Sequence, residues 1–188
     1  MEGAPISPGT FVAVAGASGV GKDTLLRYAA ARLSGDPRFV FVRRSITRPA
    51  GDGSEDHLGV TEAAFTTQAA SGAFAVTWTA HGLSYGLPLT IDAEITAGRI
   101  VIANVSRTIV GALQRRYPKL LRIRVTAPSA SVAARLRQRG RESPDEIVER
   151  TSRSIVDTDA GWIELPNDGA VAEAGDRLVT LLLALPAG

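Results

Sequence analysis

One run constrains this chain more than any other. Gly16-Ala17-Ser18-Gly19-Val20-Gly21-Lys22-Asp23-Thr24 reads G-x-x-x-x-G-K-D-T. It follows the apolar run Phe11-Val12-Ala13-Val14-Ala15 and precedes a helix-compatible stretch from Thr24 to Leu33. Strand, glycine-rich loop and helix in that order make a phosphate-binding loop. The glycines let successive backbone N–H groups turn toward one anion. The helix N-terminus adds partial positive charge at the same point, and Lys22 reaches the outer phosphates. Of the 21 Lys and Arg residues, only Lys22 and Lys119 are lysines. A chain that otherwise uses arginine thus keeps a compact ammonium where a phosphate is expected. A glycine-rich turn alone would be a weak signal; strand, spacing, G-K and helix together are a strong one. One position departs from the usual pattern. Asp23 stands where a Ser or Thr hydroxyl would meet a magnesium ion, with Thr24 one residue late. It is a candidate metal ligand, and capping of the helix dipole is its alternative role.

Apolar periodicity and turn residues predict alternating strands and helices. Strands are expected at residues 11–15, 39–42, 74–79, 100–105, 120–126 and 162–165. Helices are expected at 22–34, 61–70, 89–97, 108–116, 129–139, 144–156 and 170–185, with Thr61 as an N-cap and Pro144 in a first turn. Residues 45–56 read as loop and 82–88 as a turn. Several strands are apolar on both faces, which predicts an α/β fold: one domain over residues 1–188 with a central parallel sheet flanked by helices.

Composition narrows the function classes. The chain has no cysteine, which excludes disulfides, thiolate catalysis and cysteine-ligated metals. Net charge is +2, so the chain as a whole argues for neither nucleic acid nor a membrane as partner. Residues 1–10 lack a basic segment followed by an apolar stretch. The apolar run at 178–185 is too short to span a bilayer. A cytoplasmic protein is expected, with monomer and homodimer both left open.

Three further stretches add chemistry. Ser45-Ile46-Thr47-Arg48-Pro49 falls where a loop faces the phosphate loop across the sheet's C-terminal edge. Arg48 is placed there to hold a second phosphate by its planar fork. The turn His81-Gly82-Leu83-Ser84-Tyr85-Gly86 comes next. Last is the arginine group Arg135, Arg139 and Arg150, the first two on one helix face. A hinged helical pair carrying them would suit phosphoryl transfer, which depends on positioning and charge neutralisation.

In their order and spacing these motifs resemble the guanylate kinase superfamily over nearly the whole chain. Asn167-Asp168 also looks like that family's N-D near the last strand. The resemblance implies a P-loop NTPase fold with a core holding the loop at 16–24, an acceptor-binding region at about 38–90 and a lid at about 129–158. It also implies ATP and Mg2+ as cofactors. The departures are informative. The second arginine of the family's acceptor loop is missing from Thr47-Arg48-Pro49-Ala50-Gly51-Asp52-Gly53-Ser54-Glu55. A tyrosine expected further along is replaced at or near Val60. The carboxylate that would read a guanine edge is Val76, and the hydroxyl after Y-G is Leu87. Apolar residues there would leave a base's polar edge unpaired.

One branch fits these departures. The chain is similar to the ribose 1,5-bisphosphate phosphokinases in G-x-S-G-x-G-K-D, I-T-R-P, E-x-H (Glu55-Asp56-His57), W-x-A-H-G-L-x-Y-G (Trp78–Gly86) and R-G-R-E (Arg139–Glu142). That likeness implies ATP-dependent phosphorylation of a sugar phosphate at its 1-phosphate in phosphonate catabolism, giving 5-phosphoribosyl 1-diphosphate. ATP would lie on Gly16, Ala17, Ser18, Gly19, Val20, Gly21, Lys22, Asp23 and Thr24. Lys22, Arg48, Arg135, Arg139 and Arg150 would carry the transfer. Arg48, Glu55, His57, His81 and Tyr85 would bind the acceptor. Asp23 would serve the metal, with Asn104 standing where related kinases offer an aspartate. A guanylate or other nucleoside monophosphate kinase, and a guanylate-kinase-like binding module without turnover, are the competing readings.

Overall fold

The computed structural model describes residues 5–49, 56–139 and 161–186, and side chains as far as residue 135 of the middle segment. In chain order the elements are β1 (Thr10–Ala15), α1 (Lys22–Arg32), β2 (Phe39–Phe41), β3 (Arg44–Ile46), β4 (His57–Gly59), α2 (Glu62–Ala70), β5 (Phe74–Ala80) and β6 (Leu83–Pro88). They continue with α3 (Ile91–Thr96), β7 (Ile100–Asn104), a 3-10 turn (Arg107–Ile109), α4 (Val110–Arg116), β8 (Leu120–Thr126), α5 (Ser129–Arg139), β9 (Trp162–Pro166) and α6 (Val171–Leu183).

The expected parallel sheet is present, in the order β2-β7-β1-β8-β9, with every adjacent pair parallel. The chain leaves β1 toward β2 on one side and later reaches β8 and β9 on the other. The loop after β1 therefore lies at the topological switch point, where open α/β sheets bind ligands. Period-2 alternation divides the core. Val12, Val14, Ile100, Ile102, Ile123 and Val125 face Leu25 and Ala29 of α1 and Leu178 and Leu182 of α6. Phe11, Ala13, Val101 and Ala103 face the other way, onto Ile91, Ile95, Leu113 and Tyr117. Each large apolar side chain so buried contributes roughly 1.5–3 kcal/mol against exposure.

A second sheet, β4-β3-β6-β5, corrects two sequence expectations. Residues 45 and 46, expected in a loop, belong to β3, which pairs parallel with β4 and antiparallel with β6. Residues 83–88, expected in a turn, form β6. The turn is confined to His81 and Gly82, whose φ values of 52° and 71° give the double left-handed conformation of a tight hairpin. Gly86 sits mid-strand because the Phe74 ring occupies the place where a Cβ would stand. Trp78 and Leu87 of this sheet join the Phe11–Tyr117 side of the core, so the small sheet is fastened over β7 and β1. The expected helix at 144–156 lies outside the described residues.

Candidate active site

The phosphate loop has the expected geometry. Gly21 is the N-cap of α1 at φ 95°, with no side-chain cap hydrogen bond, so the first-turn N–H groups open toward the loop. Here glycine is needed twice over, because a Cβ on Gly21 would also run into Asn167 Nδ2. Lys22 Nζ donates to the carbonyls of Gly16 and Ala17, both at 2.9 Å, which holds the ammonium across the loop.

Asp23 and Asn104 meet. Asn104, buried at the C-terminal end of β7, donates from Nδ2 to Asp23 Oδ1 at 2.7 Å. The two residues line one cleft together with Arg27, Arg43, Arg44 and Asp56. Among the described residues no group of three or more His, Cys, Asp or Glu gathers to hold a metal by itself; the Asp23 carboxylate and the Asn104 amide oxygen are donors of the kind that a hard cation keeping several waters, as Mg2+ does, would take.

Arg135 is built into the rim of the loop. From α5 its guanidinium donates to Val20 O at 3.3 Å and to Asn167 O at 2.9 Å. Asn167, directly after β9 and buried, donates from Nδ2 to the same Val20 carbonyl at 2.7 Å. One loop carbonyl thus receives donors from both α5 and the residue that follows the last strand. Arg139 ends α5 with its side chain outside the described residues; Arg150 and Glu55 lie outside them altogether.

The acceptor residues fall on or beside the small sheet. Arg48 is half-buried two residues past β3. Thr47 ties that segment to β6 by its N–H to Ser84 O (3.1 Å) and its Oγ1 from Ser84 N (2.9 Å). His57 is buried on β4. Tyr85 stacks on Trp78, ring centroids 5.2 Å apart and 8° from parallel. His81 stands exposed at the hairpin tip. Val76 and Leu87, the two positions where a guanine would be read, are cross-strand partners, and Leu87 is fully buried. Sequence reasoning missed Arg44. It is buried on β3, its guanidinium 5.4 Å from the Tyr85 ring and 5.9 Å from the Trp78 ring. The doublet Arg43-Arg44 directly after the apolar run Phe39–Val42 was the available signal.

No family model matches the chain. The chain is 44% identical over 185 residues to the ribose 1,5-bisphosphate phosphokinase PhnN of Chelativorans sp. (strain BNC1), covering 95% of this chain and 87% of that protein. Over 181 residues it is 47% identical to the phosphokinase of the same name from Pseudofrankia inefficax, covering 95% of this chain and 93% of that one. Its fold is similar to that of guanylate kinase from Anaplasma phagocytophilum, with a TM-score of 0.66 at 16% identity over 95% of this chain and 87% of that one. Identity of this order along nearly the whole chain shows that the protein belongs to the ribose 1,5-bisphosphate phosphokinase family.

Proposed function

We propose that this protein transfers the γ-phosphoryl group of ATP to the 1-phosphate of ribose 1,5-bisphosphate, giving ADP and 5-phosphoribosyl 1-diphosphate. The Val76–Leu87 pair carries this reading within the kinase fold. The loop that handles phosphate is intact, while the positions that would read a base are apolar and packed into the core. The identity to the phosphokinases named above supports it.

The attacking atom is a phosphate oxygen that is already an anion at neutral pH, so no general base is required. A bond forms between that oxygen and the γ-phosphorus, and the bond from the γ-phosphorus to the β-bridging oxygen breaks, with the electron pair leaving on ADP. Lys22 and the N–H groups of residues 18–24 hold the β- and γ-phosphates. Arg48 holds the acceptor phosphate by its fork. His57, Tyr85, Glu55 and His81 bind the remainder of the acceptor. Arg135, with Arg139 and Arg150 of the lid, neutralises charge that develops in transfer, and lid closure excludes water as a competing acceptor. Asp23, with Asn104 behind it, would hold Mg2+, which would supply charge neutralisation on the ATP phosphates. The substrate is a small sugar phosphate, and we place the reaction in the cytoplasm. Among the described residues no helix is long and apolar enough to cross a membrane.

The test is ATP consumption with Mg2+, comparing ribose 1,5-bisphosphate and GMP as acceptors, with products identified by phosphorus NMR. A diphosphate doublet appearing only with the sugar bisphosphate is expected. Turnover of GMP alone would make the protein a nucleotide kinase, and no turnover of either would leave a binding module.

A further inference from the structure

The small sheet carries its side chains in rungs. Cross-strand partners run Arg44 with His57, Ile46 with Gly59, Ser45 with Gly86, Ile46 with Tyr85, Val76 with Leu87 and Trp78 with Tyr85. Continuing the β3–β6 register by one residue sets Arg44 beside Leu87. One rung therefore reads His57, Arg44, Leu87, Val76 across four strands, all on one face, because side chains of paired residues share a face. The next rung on that face reads Gly59, Ile46, Tyr85, Trp78.

The two positions that would read a base, Val76 and Leu87, thus share a rung with two buried polar side chains. Arg44 is 7% exposed and His57 is 3% exposed. Arg44 packs on the stacked pair Trp78–Tyr85 and lines the same cleft as Asp23 and Asn104. Aromatic faces attract the guanidinium and fix its plane. A held guanidinium presents several N–H donors in a rigid fork and no acceptor. An imidazole adds a ring N–H. A guanine's Watson–Crick edge carries donors of its own, from which neither Val76 nor Leu87 can accept. A phosphate is all acceptor and takes the fork in both of its hydrogen bonds.

We propose that Arg44, with His57 beside it, binds the phosphate of the acceptor that does not react, the 5-phosphate of the sugar bisphosphate. Arg44 is then the residue that sets selectivity for a bisphosphorylated sugar. This rests on the acceptor proposed above and extends it. Polar recognition has moved across the rung from β6 and β5 to β3 and β4, and has changed from base-reading to anion-binding. Arg44 opens β3 and Arg48 follows its end, four residues on, so their backbones stand at most about 13 Å apart and each can serve one end of a bisphosphate.

Two measurements on wild type, Arg44→Met and Arg44→Lys test this. The first is the ratio of kcat/KM for ribose 1,5-bisphosphate to that for ribose 1-phosphate, which lacks the phosphate in question. The second is calorimetric binding of ribose 5-phosphate, which carries only that phosphate. In Arg44→Met the kcat/KM for the bisphosphate should fall about 100-fold, mostly through KM, and the preference over ribose 1-phosphate should shrink at least tenfold. Ribose 5-phosphate binding should weaken by a similar factor. Arg44→Lys, which keeps the charge and loses the fork, should lie between the two. It also serves alone if the Met variant does not fold. An unchanged preference, or unchanged ribose 5-phosphate binding, overturns the assignment. Wild type that fails to turn over the bisphosphate overturns the proposed reaction instead, and the binding measurement still decides the role of Arg44.

Discussion

Asn104 Nδ2 donates to Asp23 Oδ1 at 2.7 Å, joining the end of β7 to the first turn of α1. The strand end, where the resemblance to guanylate kinases leads one to expect a carboxylate, carries an amide, and a carboxylate stands in the phosphate loop instead. The contact means that either position can present one negative charge to the same point. Asp23→Ser should lower kcat at least about 100-fold, with an increased requirement for Mg2+. Adding Asn104→Asp should recover part of that loss. Initial rates across a Mg2+ titration check both, and a double variant as inactive as the single one ends the idea that the carboxylate has been transposed.

Asn167 and Arg135 converge on Val20 O from different elements. Removing one donor leaves the carbonyl its other bond and loosens the loop. Asn167→Ala should raise KM for ATP about tenfold with a smaller change in kcat. Arg135→Met should lower kcat as well, because it also removes charge from the phosphoryl-transfer zone. The two changes should not add, with a coupling of about 1 kcal/mol in a double-mutant cycle on kcat/KM.

Much of this was legible in the sequence, and the rest was not for identifiable reasons. The runs Phe11–Ala15, Ile100–Asn104 and Leu120–Thr126 are long and apolar enough to declare strands, and each is one. Thr61 accepts from Ala64 N at 3.2 Å, as its place before a helical pattern predicts. The strands β3 and β4 span three residues each, too few to show a period. Glycines at 82 and 86 look like punctuation for one turn; in the structure the first makes the turn and the second makes room for Phe74. The phosphate loop could be read because its residues are consecutive. The rung of His57, Arg44, Leu87 and Val76 is assembled from four strands, and its pairing registers exist only in the fold.

Leu87 separates two explanations of selectivity. It is fully buried on the core side of the small sheet, opposite Val76. Leu87→Ser, which supplies the hydroxyl of a base-reading site, should cost about 3 kcal/mol through the lost apolar contacts and the cavity left behind. It should confer no GMP turnover, since the carboxylate at the Val76 position is still missing. Denaturant unfolding and an acceptor assay with GMP check the two halves.

Far from the cleft, Asp92 gathers Arg116 and Tyr117 under the core. Tyr117 Oη donates to Asp92 Oδ1 at 2.6 Å, Arg116 Nε donates to the same oxygen at 3.1 Å, and Arg116 Nη2 donates to Asp92 Oδ2. The Tyr117 ring lies flat on Phe11, centroids 5.1 Å apart. Burial, and then the hydrogen bond to Asp92, push the Tyr117 hydroxyl well above its ordinary value of 10.0. A phenol in the unfolded chain ionises near pH 10 while the folded one keeps its proton. The stabilisation is therefore complete below pH 10 and is lost as pH rises above it, at up to about 1.4 kcal/mol per pH unit. Tyr117→Phe keeps the stack and leaves Asp92 to Arg116. It should cost about 1–2 kcal/mol at pH 7 and should flatten the decline in stability between pH 10 and 11.5. Urea unfolding at pH 7, 10 and 11.5 reads both effects; an alkaline decline as steep in Tyr117→Phe as in wild type would place the titrating group elsewhere.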